Sequence, residues 1–169
     1  MSDEEHVIKF KEFMGFKGRL YKDSYRIRAC FKDMRIGERL KELGCVARKS
    51  LVLEFPNETQ VPKHLLNHFI RGYFDGDGSI KDPEKCPFGL SMIGTKHFLS
   101  GILMFFRINP ILKIKNSKGS EDVFEFQAHG DTARLILSSM YENSTVFLTR
   151  KKDRYNQHVT RYAKRKKHL

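Results

Sequence analysis

Residues 62–80 read PKHLLNHFIRGYFDGDGSI, and the rest of the chain is best read outward from them. Pro62 suits the first turn of a helix, where its fixed φ is already helical. Leu65, Phe69 and Tyr73, with Leu66, Ile70 and Phe74, then recur at helical spacing and form a wide apolar stripe. Gly72 and Gly76 are four apart and lie on one helix face. A glycine inside a helix costs about 1 kcal/mol relative to alanine, so two at this spacing predict the close approach of another helix. The helix runs out in DGDGSI, with Asp75 and Asp77 at its C-terminal end. The helix dipole disfavours anions there, so these carboxylates are poor stability devices. They suit a divalent cation instead, and oxygen donors point to Mg²⁺.

Other chemistries fit this stretch badly. A calcium loop starting at Asp75 would need Glu at its twelfth position, which is Cys86. His64 and His68 have the i, i+4 spacing of a zinc helix, but Leu65 stands where such helices carry Glu. They read as polar residues on the exposed side of the helix. A simple Asp-Gly turn after the helix stays open on the local sequence alone. The chain has no GxxxxGK[ST] loop and no GxSxG elbow.

On either side of this helix lie two similar blocks. The first has a helix over residues 4–15, a strand over 19–21 and an alternating strand over 24–31. Tyr25, Ile27, Ala29 and Phe31 face one way, and Arg26, Arg28 and Cys30 the other. A helix over 33–44 follows, stopped by Gly44, and the block closes on VARKS. The second block has a helix over 96–108, ended by Asn109-Pro110, and a strand over 111–115. Its second strand, 123–128, points Phe124, Phe126 and Ala128 inward. A helix N-capped by Asp131 follows, and the block closes on LTRKK. Arg48-Lys49 thus corresponds to Arg150-Lys151 in a duplicated unit. Both strand pairs present basic or polar side chains on one face: Arg26 and Arg28 in one, Lys113, Lys115, Glu125 and Gln127 in the other. Such ribbons can reach base edges and phosphates in a major groove.

Charge points to the same partner. The 169 residues carry 32 Lys plus Arg against 20 Asp plus Glu, a net charge of +12. A polyanion, usually nucleic acid, is the expected partner of so basic a chain. Of that excess, +8 falls in the last twenty residues, which hold nine basic residues and one acidic residue. Arg150, Lys151 and Lys152 begin this run, and residues 156–169 read as a basic tail supplying salt-sensitive phosphate affinity. Removing that tail is expected to weaken binding and leave site preference intact. The cysteines Cys30, Cys45 and Cys86 are odd in number and form no CxxC pair, so they read as reduced, mostly packed thiols. No apolar run reaches a membrane span and the acidic N-terminus is no signal peptide, so no membrane partner and an intracellular protein are expected.

FIRGYFDGDG resembles the LAGLIDADG motif of homing endonucleases, with Ile70 to Gly78 matching its nine positions. With LVLEFP before the motif helix and two blocks closed by Arg-Lys, the resemblance covers nearly the whole chain. It implies an α/β (α+β) fold: an α-β-β-α-β-β-α unit with antiparallel DNA-binding sheets, preceded by a partial helix-strand-strand-helix repeat. Residues 1–62 would be the partial repeat and linker, 63–155 the motif-bearing unit, and 156–169 the tail. It also implies a site-specific, Mg²⁺-dependent double-strand DNA endonuclease serving intron or intein mobility. Asp77, at the eighth motif position, would hold the metal, and Lys151 with its equivalent Lys49 would act near the catalytic centre. Asp75 would cap or order the helix end. Arg26, Arg28, Lys113, Lys115, Gln127, Arg150 and Lys152 would contact DNA, and Gly72 and Gly76 would pack two motif helices together. The glutamine that many members carry near the solvent network is replaced here by Thr95 or Lys96.

The chain departs from two-repeat members by having one motif, so one Asp77 is half of an active site. A homodimer through the motif helix, a separately encoded complementing fragment, or a remnant that binds without cutting would each account for this. An intron RNA maturase or a DNA-binding regulator is the alternative function.

Overall fold

Alternating apolar residues in two six-residue runs form the middle of the main sheet. A computed structural model describes residues 3–45, 51–86, 88–109, 114–117 and 122–166. Three helices stand on one face of a four-stranded antiparallel sheet of order β3-β4-β6-β5. The strands are β3 (Gly78–Ile80), β4 (Gly89–Gly94), β5 (Ile114–Asn116) and β6 (Phe124–His129). Cross-strand rows put Ile80, Leu90 and Ala128 together, and next to them Met92, Phe126 and Ile114. These side chains meet α3 (Leu66–Asp77), α4 (Lys96–Phe105) and α5 (Gly130–Tyr141) in one core. Ile70, Phe74, Phe98, Leu99, Ile102, Ile136 and Tyr141 are completely buried there. The opposite sheet face carries Ser79, Ser91, Gln127, Ile93, Glu125 and Lys115. The fold is therefore α+β with antiparallel sheets, as the sequence predicts.

The first block is looser. Helix α1 (Glu4–Phe13), strands β1 (Leu20–Lys22) and β2 (Ile27–Ala29), and helix α2 (Met34–Glu42) contain no buried residue. A small aromatic cluster joins them: Phe31 lies 5.8 Å from Phe10 and 4.4 Å from Phe16, ring centre to ring centre. The predicted strand over 24–31 shrinks to three residues. The cause is local, because Asp23 Oδ1 accepts the N–H groups of Tyr25 and Arg26 and folds them into a turn. The two blocks are thus not equivalent. The first hairpin is a separate two-stranded sheet, whereas β5 and β6 complete the main one.

Three further expectations change. Helix α4 stops at Phe105, before Asn109-Pro110, because Arg107 takes φ +58 and the N–H of Ile108 turns back to Leu103 O. Helix α5 begins at Gly130 and not after an Asp131 cap. Gly130 takes φ +59 with its N–H on Phe88 O, and Asp131 instead pairs with Arg134 at 3.2 Å. Cys30 and Cys45 are exposed and only Cys86 is partly packed.

The basic C-terminal segment is not a tail along the described part. Helix α6 runs unbroken through Thr149–Lys166, across the expected boundary at 155. Tyr155 stacks on Tyr141 at 5.5 Å. The buried His158 ring stacks on Phe88 at 5.1 Å, accepts the Phe88 N–H at Nδ1 (3.1 Å) and donates from Nε2 to Lys81 O (2.8 Å). Arg161 donates to Pro83 O at 2.6 Å. No helix among the described residues is long and apolar enough to cross a membrane.

Candidate active site

Helix α3 organises the site, and it buries charge as well as apolar surface. Leu66, Ile70 and Phe74 point into the core, and so do Arg71 and Asp75. Arg71 Nε donates to Val146 O at 2.9 Å, while Nη1 reaches Met140 O at 3.1 Å and His68 Nδ1 at 2.9 Å. Asp75 accepts the Tyr141 hydroxyl at 2.8 Å on Oδ1 and the Leu148 N–H at 2.9 Å on Oδ2. Burial and the Asp75 charge push the Tyr141 hydroxyl far up, so it stays a donor. Both Asp75 oxygens and the Nε and Nη1 of Arg71 thus have partners, which is what burial demands. The sequence leads one to expect Asp75 to order the end of its own helix; its carboxylate instead holds the start of α6 and the end of α5. His68 serves Arg71 and has no metal-ligand geometry.

Lys151 reaches back from the first turn of α6 to close α3. Its Nζ donates to Phe74 O (2.6 Å), Asp75 O (2.9 Å) and Gly78 O (2.5 Å). This cation sits where the helix dipole is negative and adds to the bond that the Gly78 N–H already makes to Phe74 O. Burial, then the neighbouring Arg150 charge, lowers its pKa to about 8, while Asp75, Asp77 and Asp3 oppose the shift. All three N–H bonds are spent on backbone oxygens, so the ammonium addresses the helix end and not a solvent network.

Asp77 is the last residue of α3 and is exposed. Its charge bears on Lys151 and on Tyr73, whose hydroxyl burial pushes up to about 12 and which donates to Ile93 O at 2.6 Å. Thr95, considered for the glutamine's place, is the N-cap of α4. It accepts the Phe98 N–H at 3.1 Å and donates to Leu53 O.

The expected DNA contacts fall into two groups. Arg150 is bound to Asp3 through Nε (2.9 Å) and Nη2 (3.3 Å). Lys152 donates to Tyr141 O at 2.6 Å and lies over the rings of Tyr141, Phe147 and Tyr155. Both are engaged within the protein. Arg26, Arg28, Lys115 and Gln127 are exposed. Lys115 stands opposite Glu125, so along the described residues the main sheet's open face is polar and nearly balanced, not basic. Lys49, Arg48 and Lys113 lie outside the described residues.

Gly72 and Gly76 are exposed, and a Cβ built on either would meet nothing within 4 Å. The close approach they predict is not made within this chain. They line a cleft of about 820 Å³ between α3 and α1, with Phe10, Phe13, Phe69 and Leu148 on its walls.

Among the described residues no three His, Cys, Asp or Glu side chains cluster as metal ligands. Mg²⁺ takes near-octahedral oxygen coordination, and the single exposed carboxylate of Asp77 does not provide it. One chain alone does not fit the metal.

Sequence reasoning passed over Arg71, Tyr141 and His158. Arg71 had a visible signal: a charge one turn before Asp75 in an otherwise apolar helix.

No family model matches the chain, and no curated protein matches it. Among solved structures it is similar to the homing endonuclease I-CvuI, crystallised in complex with the I-CreI target in the presence of Mg, with the DNA not cleaved. The identity is 16% and the TM-score 0.32, over 60% of this chain and 64% of that one. The chain thus spans just under two thirds of the length of that protein.

Proposed function

We propose that the protein is a site-specific duplex-DNA endonuclease of the LAGLIDADG homing type, working as two copies joined through α3. One observation carries this reading: the helix that ends in exposed Asp77 shows two exposed glycines where a Cβ would meet nothing within 4 Å, on the face that opens to the cleft. Glycines at i, i+4 let helix backbones come close, and a second α3 docking in the cleft over them would displace α1 from its wall. Packing of two such helices would bring two Asp77 carboxylates together at the pair's axis. With phosphate oxygens of DNA, the two carboxylates would form the oxygen donor set that one chain lacks. Mg²⁺ held there supplies Lewis-acid activation of the phosphodiester. The chain's own residues then divide the work. Asp77 provides the ligand, Lys151 fixes the backbone carrying it, and Arg26, Arg28, Lys115 and Gln127 offer exposed donors to DNA. Two-fold symmetry predicts a near-palindromic target.

The test incubates the protein with its insertion locus and Mg²⁺, beside Asp77→Asn, while mass in solution is measured with and without DNA. Cutting is expected from the wild type, which should be dimeric on DNA, and not from the variant. Equal cutting by Asp77→Asn removes that residue from catalysis.

A second reading has its own support. Helix α1 stands across the glycine face, where a second α3 would have to pack, as suits a protein that binds without cutting. Tighter binding to intron RNA than to duplex DNA, with no cleavage, would favour a maturase.

A further inference from the structure

Immediately after Asp77, β3 and the start of α6 enclose a small basin of about 60 Å³, lined by Gly78, Ser79, Ile80, Arg150, Lys151 and Arg154. It has room for a few waters or one small oxyanion. Three cations converge on it from successive turns of α6. Lys151 is buried at its base and fully bonded, so it adds charge but no donor. Arg154 is exposed. It places Nη1 on Ile80 O at 3.0 Å, which fixes its guanidinium over β3, and its other N–H groups have no partner among the described residues. Arg150 already holds an oxyanion, the carboxylate of Asp3, through two N–H groups in a fork. That fork fits two phosphate oxygens equally well. Asp3 and Arg150 keep 44% and 47% of their side-chain surface exposed, and an ion pair so exposed contributes little to stability. Exchange of the carboxylate for another anion is therefore inexpensive.

We propose that this basin binds a backbone phosphate of duplex DNA, gripped by Arg154 and Arg150 beside Asp77, and that Asp3 occupies Arg150 until DNA displaces it. The site rests on the nucleic-acid reading above and adds two positioning residues and an internal competitor to it. Helix α1 would loosen at its N-terminal end as DNA docks, since Asp3 anchors that end to α6.

The experiment measures binding of a fluorescent duplex of arbitrary sequence between 50 and 200 mM KCl. It compares wild type, Arg154→Gln, Asp3→Asn and Asp131→Asn. The last removes a still more exposed carboxylate, paired with Arg134 and not lining the basin. Arg154→Gln is expected to weaken binding at 50 mM and to flatten the salt slope by about one unit. Its affinity loss over that fourfold rise in salt then shrinks about threefold. Asp3→Asn is expected to tighten binding at 50 mM clearly more than Asp131→Asn does. If the wild type does not bind duplex at all, the functional reading falls and the site with it. If the wild type binds but Asp3→Asn behaves as Asp131→Asn, or folded Arg154→Gln keeps the wild-type slope, the phosphate site alone falls. The Asp3 arm decides the matter should Arg154→Gln fail to fold.

Discussion

The ammonium of Lys151 donates to the backbone carbonyl of Asp75 at 2.9 Å, so the helix that ends in Asp77 is closed by a residue from the other end of the domain. Position of the Asp77 carboxylate and docking of α6 are therefore one structural event.

Lys151→Met is expected to remove the ammonium bonds to the carbonyls of Asp75 and Gly78, and to leave Phe74 O with the Gly78 N–H alone. Buried unsatisfied groups cost about 1–3 kcal/mol, so the urea midpoint should fall. The effect depends on pH. The folded pKa is about 8 against an ordinary value of 10.5, so across that window the unfolded chain holds a proton the folded chain has released. Stability gained through this group then rises with pH. The gap between wild type and variant should widen from pH 8 to 10, and a narrowing gap contradicts the lowered pKa.

The glycines separate folding from association. Gly72→Ala and Gly76→Ala meet nothing in the single chain and should raise its stability by up to about 1 kcal/mol each. Bulkier Gly72→Val should keep the monomer folded yet abolish pairing, read by light scattering with DNA present. A dimer that persists in Gly72→Val places the interface elsewhere.

Asp75 and Tyr141 form a buried pair whose loss should not be additive. Asp75→Asn and Tyr141→Phe each remove the charge-assisted bond, worth about 1.5–3 kcal/mol. The double variant should cost less than their sum by at least about 0.5 kcal/mol. Additive losses would mean the 2.8 Å contact contributes nothing.

His158 must be neutral to accept at Nδ1 while donating at Nε2. Burial lowers its pKa from 6.5, so below that value the unfolded chain takes up the proton first and stability falls with acid. Urea midpoints from pH 7 to 5 should decline more steeply in the wild type than in His158→Asn. Parallel curves would remove His158 from the acid response.

Truncation separates charge from packing. Cutting after residue 155 deletes His158, Arg161 and Tyr162, which dock α6, and should destabilise the whole domain. Cutting after residue 163 should spare the fold and only flatten the salt dependence of DNA binding, measured by titration at several salt concentrations. If the cut after residue 155 leaves the wild-type melting temperature, the part of α6 beyond Tyr155 contributes no packing.

Helical periodicity and glycine spacing made α3 legible, and strict alternation made β6 legible. Both signals are local. The fates of Arg71, Lys151, Arg150 and His158 were not legible, because each is decided by backbone oxygens or an acid brought in by tertiary folding. A basic run looks the same in sequence whether its cations face water or close helix ends. The first hairpin was misjudged for another reason: Asp23 can satisfy two N–H groups itself, and this outweighs the β propensity of Tyr25.

Before Leu66 no described residue is buried, and the carbonyls at the end of α3 wait for Lys151. On the ribosome, the 74 residues from Gly78 through Lys151 take about 4–15 s to synthesise. Through that interval the emerging chain carries α3 without the cation that closes its terminus, while β4, α4 and α5 arrive one by one to cover its apolar stripe. Closure of α3 is thus a late event in synthesis, and the last part of the domain to emerge completes the first helix of its core.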